Sequence, residues 1–285
     1  MRTLRTITEL RTALAQPRRT GHRIGLVPTM GALHDGHRSL IRHARGECDE
    51  VVVSLFLNPT QFGEGTDLRS YPRDEARDAA IAAEEGAGYL FAPSVGEIYP
   101  DGFATTVSIT GITDVLEGAH RGREHFDGVA TVVCKLFNIV APDVAYFGQK
   151  DAQQTLVIKR LVRDLNLPVE IEVCPTVREP DGLAMSSRNV LLSAAERTRA
   201  AALSHALATV QVLVAAGETD VRTLLAAAGA ELSDPQLKVD YFQIVNRETL
   251  ATMASVRGPA LALIAAWVGN TRLIDNQILA PGEGS

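Results

Sequence analysis

Two histidines lie three residues apart in the segment PTMGALHDGHRSL, residues 28–40. His34 and His37 follow the apolar run at 23–29 and precede a helical pattern, so they are predicted to occupy a strand-to-helix turn. In an open α/β sheet such a turn faces the ligand, and the free N–H groups of the helix suit phosphate. Imidazole groups there would stabilise the charge that develops on a phosphoryl group.

A zinc site and a capping or surface role are the alternatives for this histidine pair. Zinc needs a third protein ligand, and none with matching spacing is nearby. An isolated His-x-x-His does not distinguish a capping role from a phosphate-binding role. The choice between the two depends on the other polar segments of the chain.

Two further polar segments follow predicted strands. Asn58 and Gln61, in NPTQF, offer uncharged groups for directed hydrogen bonds to a small substrate, although Asn-Pro is also ordinary turn chemistry. In FGQKDAQQ, Gly148 allows close backbone approach, and Lys150 is one of only four lysines in the chain. A lysine at this point is suited to phosphate or carboxylate, the alternative being a solvated side chain.

Two more segments combine turn signals with polar or basic side chains. VREPDGLAMSSRN contains a Pro-Asp-Gly turn followed by two hydroxyls and the guanidinium of Arg188, which suit a triphosphate, or else it is a polar interdomain loop. EGAHRGREHFDG is basic before a helix that is expected to begin at Asp127 or Gly128. This loop suits an anionic ligand or, equally, solvent.

Strand and helix patterns alternate over the first 175 residues, which implies a parallel sheet wound on both faces. An N-terminal helix with a Thr6–Glu9 capping box comes first, and another helix is expected from Pro72 to about Gly86. Predicted strands of this region cover residues 23–29, 50–58, 88–93, 143–148 and 168–175. After Pro175, a helix capped by Ser193 and Glu196, a second helix and three strand-like runs predict a small α+β domain. The predicted domains are therefore 1–175 and 176–285.

Bulk composition excludes several classes of protein. The 285 residues are 46% hydrophobic, with 28 basic and 34 acidic side chains and a net charge of −6. The charge and its distribution give no support for a nucleic-acid or membrane partner. Three widely spaced cysteines, an N-terminus without a signal-peptide core and the lack of an apolar run of ~18 residues fit a cytoplasmic protein. No P-loop or G-x-S-x-G elbow occurs, so the residues alone indicate a nucleotide-dependent transferase or ligase with a closing second domain.

Taken in order, PTMGALHDGHRSL, NPTQF, HFDGVATVV, FGQKDAQQ and VREPDGLAMSSRN resemble the successive motifs of the AMP-forming pantoate–β-alanine ligase (pantothenate synthetase) family over residues 24–192. The histidine pair also resembles the turn of class I aminoacyl-tRNA synthetases and cytidylyltransferases. The resemblance implies a Rossmann-like parallel-sheet nucleotidyltransferase domain with a smaller C-terminal α+β lid domain. It also implies two steps, in which pantoate and ATP give pantoyl adenylate and pyrophosphate, and β-alanine then gives pantothenate and AMP.

The same resemblance assigns roles to individual residues. The expected ATP contacts are Met30, Gly31, Ala32, Leu33, His34, Asp35, Gly36, His37, Gly148, Gln149, Lys150, Asp151, Val177, Met185, Ser186, Ser187 and Arg188. Of these, the expected catalytic residues are His34, His37, Lys150 and Arg188. Gln61 and Gln154 are expected to hold pantoate, and Asn58 is placed with them as a substrate-binding residue.

Mg²⁺ is expected to bridge the ATP phosphates, with Asp78 as a water-mediated ligand or, equally, a solvated helix residue. A homodimer through the N-terminal domain is implied as well. Arg38 stands where the family more often has an apolar residue. A related nucleotidyltransferase that activates a different small acid, and a nucleotide-binding regulatory module without turnover, are the alternatives. The two glutamines, Gln61 and Gln154, favour the ligase.

Overall fold

A computed structural model of the chain describes residues 1–62 and 71–280. The chain divides into two compact units. The first comprises Met1–Gln149 and Gln153–Pro175, and the second comprises Lys150–Ala152 and the chain from Thr176 onward. No helix among the described residues is long and apolar enough to cross a membrane.

Six parallel strands form the sheet of the first unit, in the order β1-β4-β3-β2-β5-β6. The strands are β1 (Arg2–Leu4), β2 (Ile24–Thr29), β3 (Glu50–Leu55), β4 (Tyr89–Phe91), β5 (Val144–Gly148) and β6 (Glu170–Cys174). The described helices around them are α1 (Ile7–Arg19), α2 (Asp35–Glu47), α3 (Glu75–Glu84), α4 (Val95–Ile98), α5 (Glu117–Arg121), α6 (Arg123–Val140) and α7 (Ala152–Asp164). The predicted α/β class with a parallel sheet is confirmed.

The strand order reverses between β2 and β5. From β2 the chain proceeds outward to β3 and β4, and it then returns to the other side of β2 to form β5 and β6. In open α/β sheets, ligands bind beyond the carboxyl ends of the strands at such a reversal. These ends are Thr29 and Gly148. The first leads directly into the turn with the two histidines, and the second into the segment that contains Lys150, both of which were predicted to bind a ligand.

Apolar layers cover both faces of this sheet. Leu26 and Val27, neighbours on β2, are both fully buried but belong to separate clusters, because successive side chains of a strand point to opposite faces. Leu26 packs in the cluster that includes α1, α6 and α7, and Val27 packs in the cluster that includes α2 and α3. Burial on both faces explains why β2 and β3 consist largely of consecutive apolar residues instead of an alternating pattern.

The second unit is an antiparallel sheet with helices. Its strands β7 (Leu237–Asn246), β8 (Ala260–Val268) and β9 (Thr271–Leu279) pair in chain order. The helices α8 (Ala194–Ala215) and α9 (Val221–Gly229) contribute buried leucine, valine and alanine side chains to one cluster with these strands. This is the predicted succession of two helices and three strands.

Both predicted capping boxes are confirmed, at Thr6 with Glu9 and at Ser193 with Glu196. Two predicted helix starts are wrong. Helix α3 begins at Glu75 rather than Pro72, because the side chain of Asp74 accepts the N–H of Arg77 and caps it. Helix α6 begins at Arg123, four or five residues before the expected start at Asp127 or Gly128, and its N-cap is Gly122 with a φ of +81°.

Replacing Ser193 by alanine is expected to lower the free energy of unfolding by about 1 kcal/mol, because the N–H of Glu196 loses its acceptor at the start of α8. Ser193→Asn is the matched control, since asparagine caps as well as serine and its amide can still donate to Glu196, as Oγ of Ser193 does at 2.7 Å. Urea denaturation measures both variants. A loss of equal size in Ser193→Asn would show that the cap is not responsible.

Candidate active site

His34 is the N-cap of α2, and it forms a reciprocal cap with His37. The N–H of Gly36 donates to Nδ1 of His34 at 3.2 Å, and the N–H of His34 donates to Nδ1 of His37 at 3.3 Å. The ring centroids are 4.1 Å apart. Because a backbone N–H can only donate, each Nδ1 is the unprotonated nitrogen, and in the neutral rings the proton is on Nε2. The capping role is therefore confirmed, and it does not conflict with a phosphate-binding role, because Nδ1 caps the helix while Nε2 carries the proton.

The turn before His34 is closed by Asp78, which lies on α3. Asp78 is 1% exposed, and its carboxylate accepts the N–H of Ala32 at 2.9 Å and the N–H of Leu33 at 2.8 Å. The turn has a left-handed backbone at Gly31 (φ +96°) and at Ala32 (φ +51°). An alanine in that region is strained by about 1 kcal/mol or more, so an interaction must hold it there. The two charge-assisted hydrogen bonds to Asp78 supply it.

The alternative reading of Asp78, a solvated helix residue, is wrong, because its carboxylate is buried against this turn. Both of its oxygens already accept backbone N–H groups. Within residues 1–62 and 71–280, no group of three or more His, Cys, Asp or Glu side chains could hold a metal ion. The geometry of Asp78 fits a backbone clamp, and the described residues do not form a protein cage for Mg²⁺.

Asn58 and Gln61 form a hydrogen-bonded pair after β3, on the short 3₁₀ turn Pro59–Gln61. Nδ2 of Asn58 donates to Oε1 of Gln61 at 3.1 Å and to the carbonyl oxygen of Gly128 at 3.1 Å. Nε2 of Gln61 donates to Sδ of Met30 at 2.9 Å, which links this turn to the segment that follows β2. Asn58 is 1% exposed and both hydrogens of its amide nitrogen are used, so the expected direct contact of Asn58 with a substrate does not fit this arrangement.

The HFDGVATVV motif supports the same turn from α6. Nδ1 of His125 lies 2.7 Å from the carbonyl oxygen of Gln61. A Cβ on Gly128 would lie 2.5 Å from the carbonyl oxygen of Thr60, so only glycine lets the helix approach this closely. Sequence reasoning assigned His125 to a basic loop for an anionic ligand and gave Gly128 no role beyond a helix start. Gly128, which lies in the same motif as His125, was the available signal for a close contact between this helix and another segment.

The end of β5 leads through Gly148 and Gln149 toward α7. No described atom would lie within 4 Å of a Cβ on Gly148, so the backbone is open to close approach. In the first turn of α7, Gln153 is buried, and its Nε2 donates to the carbonyl oxygens of Ile112 and Val115 at 2.7 and 2.8 Å. Gln153 therefore anchors the segment that contains Ile112 and Val115. Its neighbour Gln154 is half-buried.

Within the second unit, Lys150 and Arg188 line one cavity together with Ser186 and Arg272. Nζ of Lys150 lies 3.4 Å from Oδ1 of Asp151. The carbonyl oxygen of Lys150 accepts a hydrogen bond from Nδ2 of Asn276, on β9, at 2.9 Å. Three lining side chains are cationic, namely Lys150, Arg188 and Arg272, and one is acidic, Asp275, so the lining carries a net positive charge. Nε of Arg272 is already paired with Oδ2 of Asp240 at 2.6 Å. Arg272 and Asn276 were not identified from the sequence, because neither lies in a polar motif.

Val177 and Met185 are brought together by a tight hairpin. The N–H of Met185 donates to the carbonyl oxygen of Val177 at 2.9 Å. The predicted Pro-Asp-Gly turn is confirmed, since Gly182 has a φ of +85° and its N–H donates to the carbonyl oxygen of Glu179 at 2.8 Å. Oγ of Ser186 then accepts the N–H of Arg188 at 3.3 Å and starts the 3₁₀ turn Ser187–Leu191.

Comparison with known proteins covers both units. The family model described as pantoate-beta-alanine ligase matches residues 2–278. A pantothenate synthetase from Roseiflexus sp. (strain RS-1) is 54% identical over 280 residues, which are 98% of this chain and 99% of that protein. A pantothenate synthetase from Moorella thermoacetica is 52% identical over 280 residues, again 98% of this chain and 99% of that protein. The chain belongs to the pantoate–β-alanine ligase family.

Solved structures agree with this membership in the ligase family. A crystal structure of pantothenate synthetase from Thermus thermophilus is 48% identical and superimposes with a TM-score of 0.93, covering 99% of this chain and 100% of that one. The pantoate-beta-alanine ligase of Francisella tularensis, crystallised with beta-gamma ATP and beta-alanine, is 35% identical with a TM-score of 0.81 and covers 98% and 97%. The chain is thus a ligase of pantothenate biosynthesis.

Arg38, which follows the histidine turn directly, makes ion pairs between helices. Its guanidinium lies 2.7 Å from Oε1 of Glu85 and 2.9 Å from Oε2 of Glu84, at the end of α3. These hydrogen bonds raise the pKa of Arg38. Arg38 therefore forms a charged contact between α2 and the end of α3.

Proposed function

We propose that this ligase condenses pantoate with β-alanine in two steps at the expense of ATP. In the first, a carboxylate oxygen of pantoate attacks the α-phosphorus of ATP, the bond to the β-phosphate oxygen breaks, and pyrophosphate leaves. In the second, the neutral amine of β-alanine attacks the acyl carbon of pantoyl adenylate. The amide bond forms, AMP leaves, and the amine loses a proton.

The arrangement of His34 and His37 carries the ATP part of the proposal. Both Nδ1 atoms accept backbone N–H groups, so in the neutral rings the protons lie on Nε2, at the carboxyl end of β2 and next to the strand-order reversal. Negative charge grows on the α-phosphate and on the leaving pyrophosphate in the transition state. Preorganised donors stabilise that charge without having to reorient.

Gln61 supports a pantoate site in the first unit. Its Oε1 is occupied by Asn58, so the Nε2 end is presented as a donor, and a carboxylate or hydroxyl oxygen of pantoate is a suitable acceptor. Gln154 is proposed as the second amide for pantoate. The carboxylate is already ionised at pH 7, so the first step needs no general base.

Two cationic side chains of the second unit are assigned to the phosphates of ATP. Lys150 and Arg188 share a cavity with Ser186, and these side chains are proposed to contact the phosphates of Mg²⁺-bound ATP. Val177, Met185 and Ser187 are proposed to contact the nucleotide with them, and the second unit to act as a lid. Exclusion of water would protect an adenylate that otherwise hydrolyses. A homodimer through the first unit is also proposed, on the family resemblance alone.

Pyrophosphate release tests the reaction. We expect release only when ATP and pantoate are both present, and we expect β-alanine then to drive formation of AMP and pantothenate. No AMP in the presence of pantoate and β-alanine would refute the proposal. Pyrophosphate formed from CTP but not from ATP would instead identify a related nucleotidyltransferase.

Replacing Gln61 by alanine is expected to raise the KM for pantoate about tenfold, because the carboxylate loses a hydrogen-bond donor, and to leave the KM for ATP within about twofold. Initial rates with each substrate varied in turn give both constants. Gln16→Ala, an exposed glutamine at the end of α1, is the control and should change neither. Equal effects on the two substrates would contradict a pantoate role.

A further inference from the structure

A chain of hydrogen bonds extends from Gln61 back to Tyr99, at the end of α4. Oη of Tyr99 donates to Oδ1 of Asn58 at 2.9 Å, and Oγ1 of Thr60 donates to the same oxygen at 2.9 Å. On its other side, the amide nitrogen of Asn58 donates to Gly128 and to Gln61. One side chain, that of Asn58, therefore separates Tyr99 from Gln61, the residue proposed to bind pantoate.

These contacts fix which way each amide points. The carbonyl oxygen of Gly128 can only accept, so it requires Nδ2 of Asn58, and the oxygen of that amide is then directed at the hydroxyls of Tyr99 and Thr60. With Nδ2 of Asn58 as a donor, Gln61 must turn its Oε1 inward. Its Nε2 consequently points away from Asn58. An amide nitrogen has two hydrogens, and Met30 Sδ uses one at most.

Packing holds the ring of Tyr99 in place for this contact. Phe103 lies edge-on with ring centroids 5.1 Å apart, and Phe56 lies at 6.1 Å. Nζ of Lys135 is 4.4 Å from the centroid of Phe103 and 5.8 Å from that of Tyr99. Burial raises the pKa of Tyr99, so its hydroxyl keeps its proton and can donate across the neutral pH range.

We propose that Tyr99 is a positioning residue for pantoate: its hydroxyl stabilises the orientation of Asn58, and Asn58 holds Gln61 with Nε2 directed at the substrate. The inference rests on the proposed role of Gln61. Tyr99 does not touch pantoate. Loss of its hydroxyl should therefore act only through Gln61, which makes the inference separable from a general effect on folding.

Tyr99→Phe keeps the ring and removes only the hydroxyl. We expect the KM for pantoate to rise about three- to tenfold, the worth of one ordinary hydrogen bond, with the KM for ATP within about twofold. Thermal unfolding of the same preparation checks that the fold is retained. Tyr89→Phe removes the same atom from a buried tyrosine of β4 and should leave both KM values unchanged.

A double-mutant cycle provides the decisive measurement, because coupling through Gln61 predicts strong non-additivity. In a Gln61→Ala background, Tyr99→Phe should cause no further rise in the KM for pantoate. A rise of the same factor in both backgrounds would overturn the inference, and so would an unchanged KM for pantoate in Tyr99→Phe alone. If Gln61→Ala itself leaves the KM for pantoate unchanged, the proposed role of Gln61 fails and the inference fails with it.

Discussion

Replacing Lys150 by alanine is expected to slow adenylate formation about 10²- to 10³-fold, the effect of removing one preorganised stabilising group from a transition state of this kind. Lys150 is half-buried, and its backbone is fixed by the hydrogen bond from Asn276 to its carbonyl oxygen. Its ammonium group is one of three cations in a cavity of the second unit. Charge that appears on pyrophosphate as the bond breaks would lose the point charge that the proposal assigns to it.

Exchange of labelled pyrophosphate into ATP, which requires pantoate, measures this step separately from the second. The reaction of β-alanine with supplied pantoyl adenylate should keep its rate, since it produces no pyrophosphate. Lys159→Ala, an exposed lysine of α7, is the control and should leave the exchange unchanged. If Lys150→Ala lowers overall turnover with normal exchange, the phosphate role is wrong.

The sheet could be predicted from the sequence because local chemistry dictates it. Buried parallel strands read as short apolar runs, and the predicted runs at 23–29 and 143–148 correspond closely to β2 and β5. The strand β1 was missed, because its three residues, Arg2–Leu4, are too few to show a pattern and owe their conformation to pairing with β4. The start of α6 was missed because Gly122, and not a polar cap, begins the helix.

The site could be predicted in its residues but only partly in their roles. The histidine turn was identified because His34 and His37 stand between a strand pattern and a helix pattern. What the sequence could not reveal is which groups are already occupied. In NPTQF, Asn58 has the character of a substrate-binding residue. Its amide group is instead hydrogen-bonded to Tyr99, Gly128 and Gln61, which lie up to 70 residues from it in the chain. Such contacts depend on tertiary packing and leave no periodic signal.

Asp78 shows the same limit, and it provides the second large expected effect. Asp78→Asn should lower the free energy of unfolding by about 2–4 kcal/mol. The substitution keeps the shape but replaces one carboxylate oxygen by an NH₂ group, which then faces the N–H of Ala32 or Leu33 and cannot accept from it. Asp78 is 1% exposed, so bulk solvent cannot replace the lost acceptor, and the left-handed turn at Gly31 and Ala32 loses its charge-assisted clamp.

Asp74→Asn is a closely matched control. It makes the same change four residues earlier at an exposed N-cap, where asparagine and aspartate are equivalent, and should alter stability by a few tenths of a kcal/mol at most. Urea denaturation compares the two variants. Because the turn leads directly into His34, kcat/KM for ATP should also fall about 10- to 100-fold in Asp78→Asn alone, as expected for a small displacement of a catalytic group.

Magnesium titration separates the clamp from the metal role that the family resemblance suggested for Asp78. A clamp predicts reduced stability without Mg²⁺, with the half-saturating Mg²⁺ concentration for turnover unchanged, because the carboxylate acts on the backbone amides of Ala32 and Leu33. A metal ligand predicts the reverse: near-normal stability and a clear increase in the Mg²⁺ requirement, since Mg²⁺ prefers charged oxygen donors. The stability of the metal-free protein decides between them, because only the clamp acts before ATP and its metal have bound.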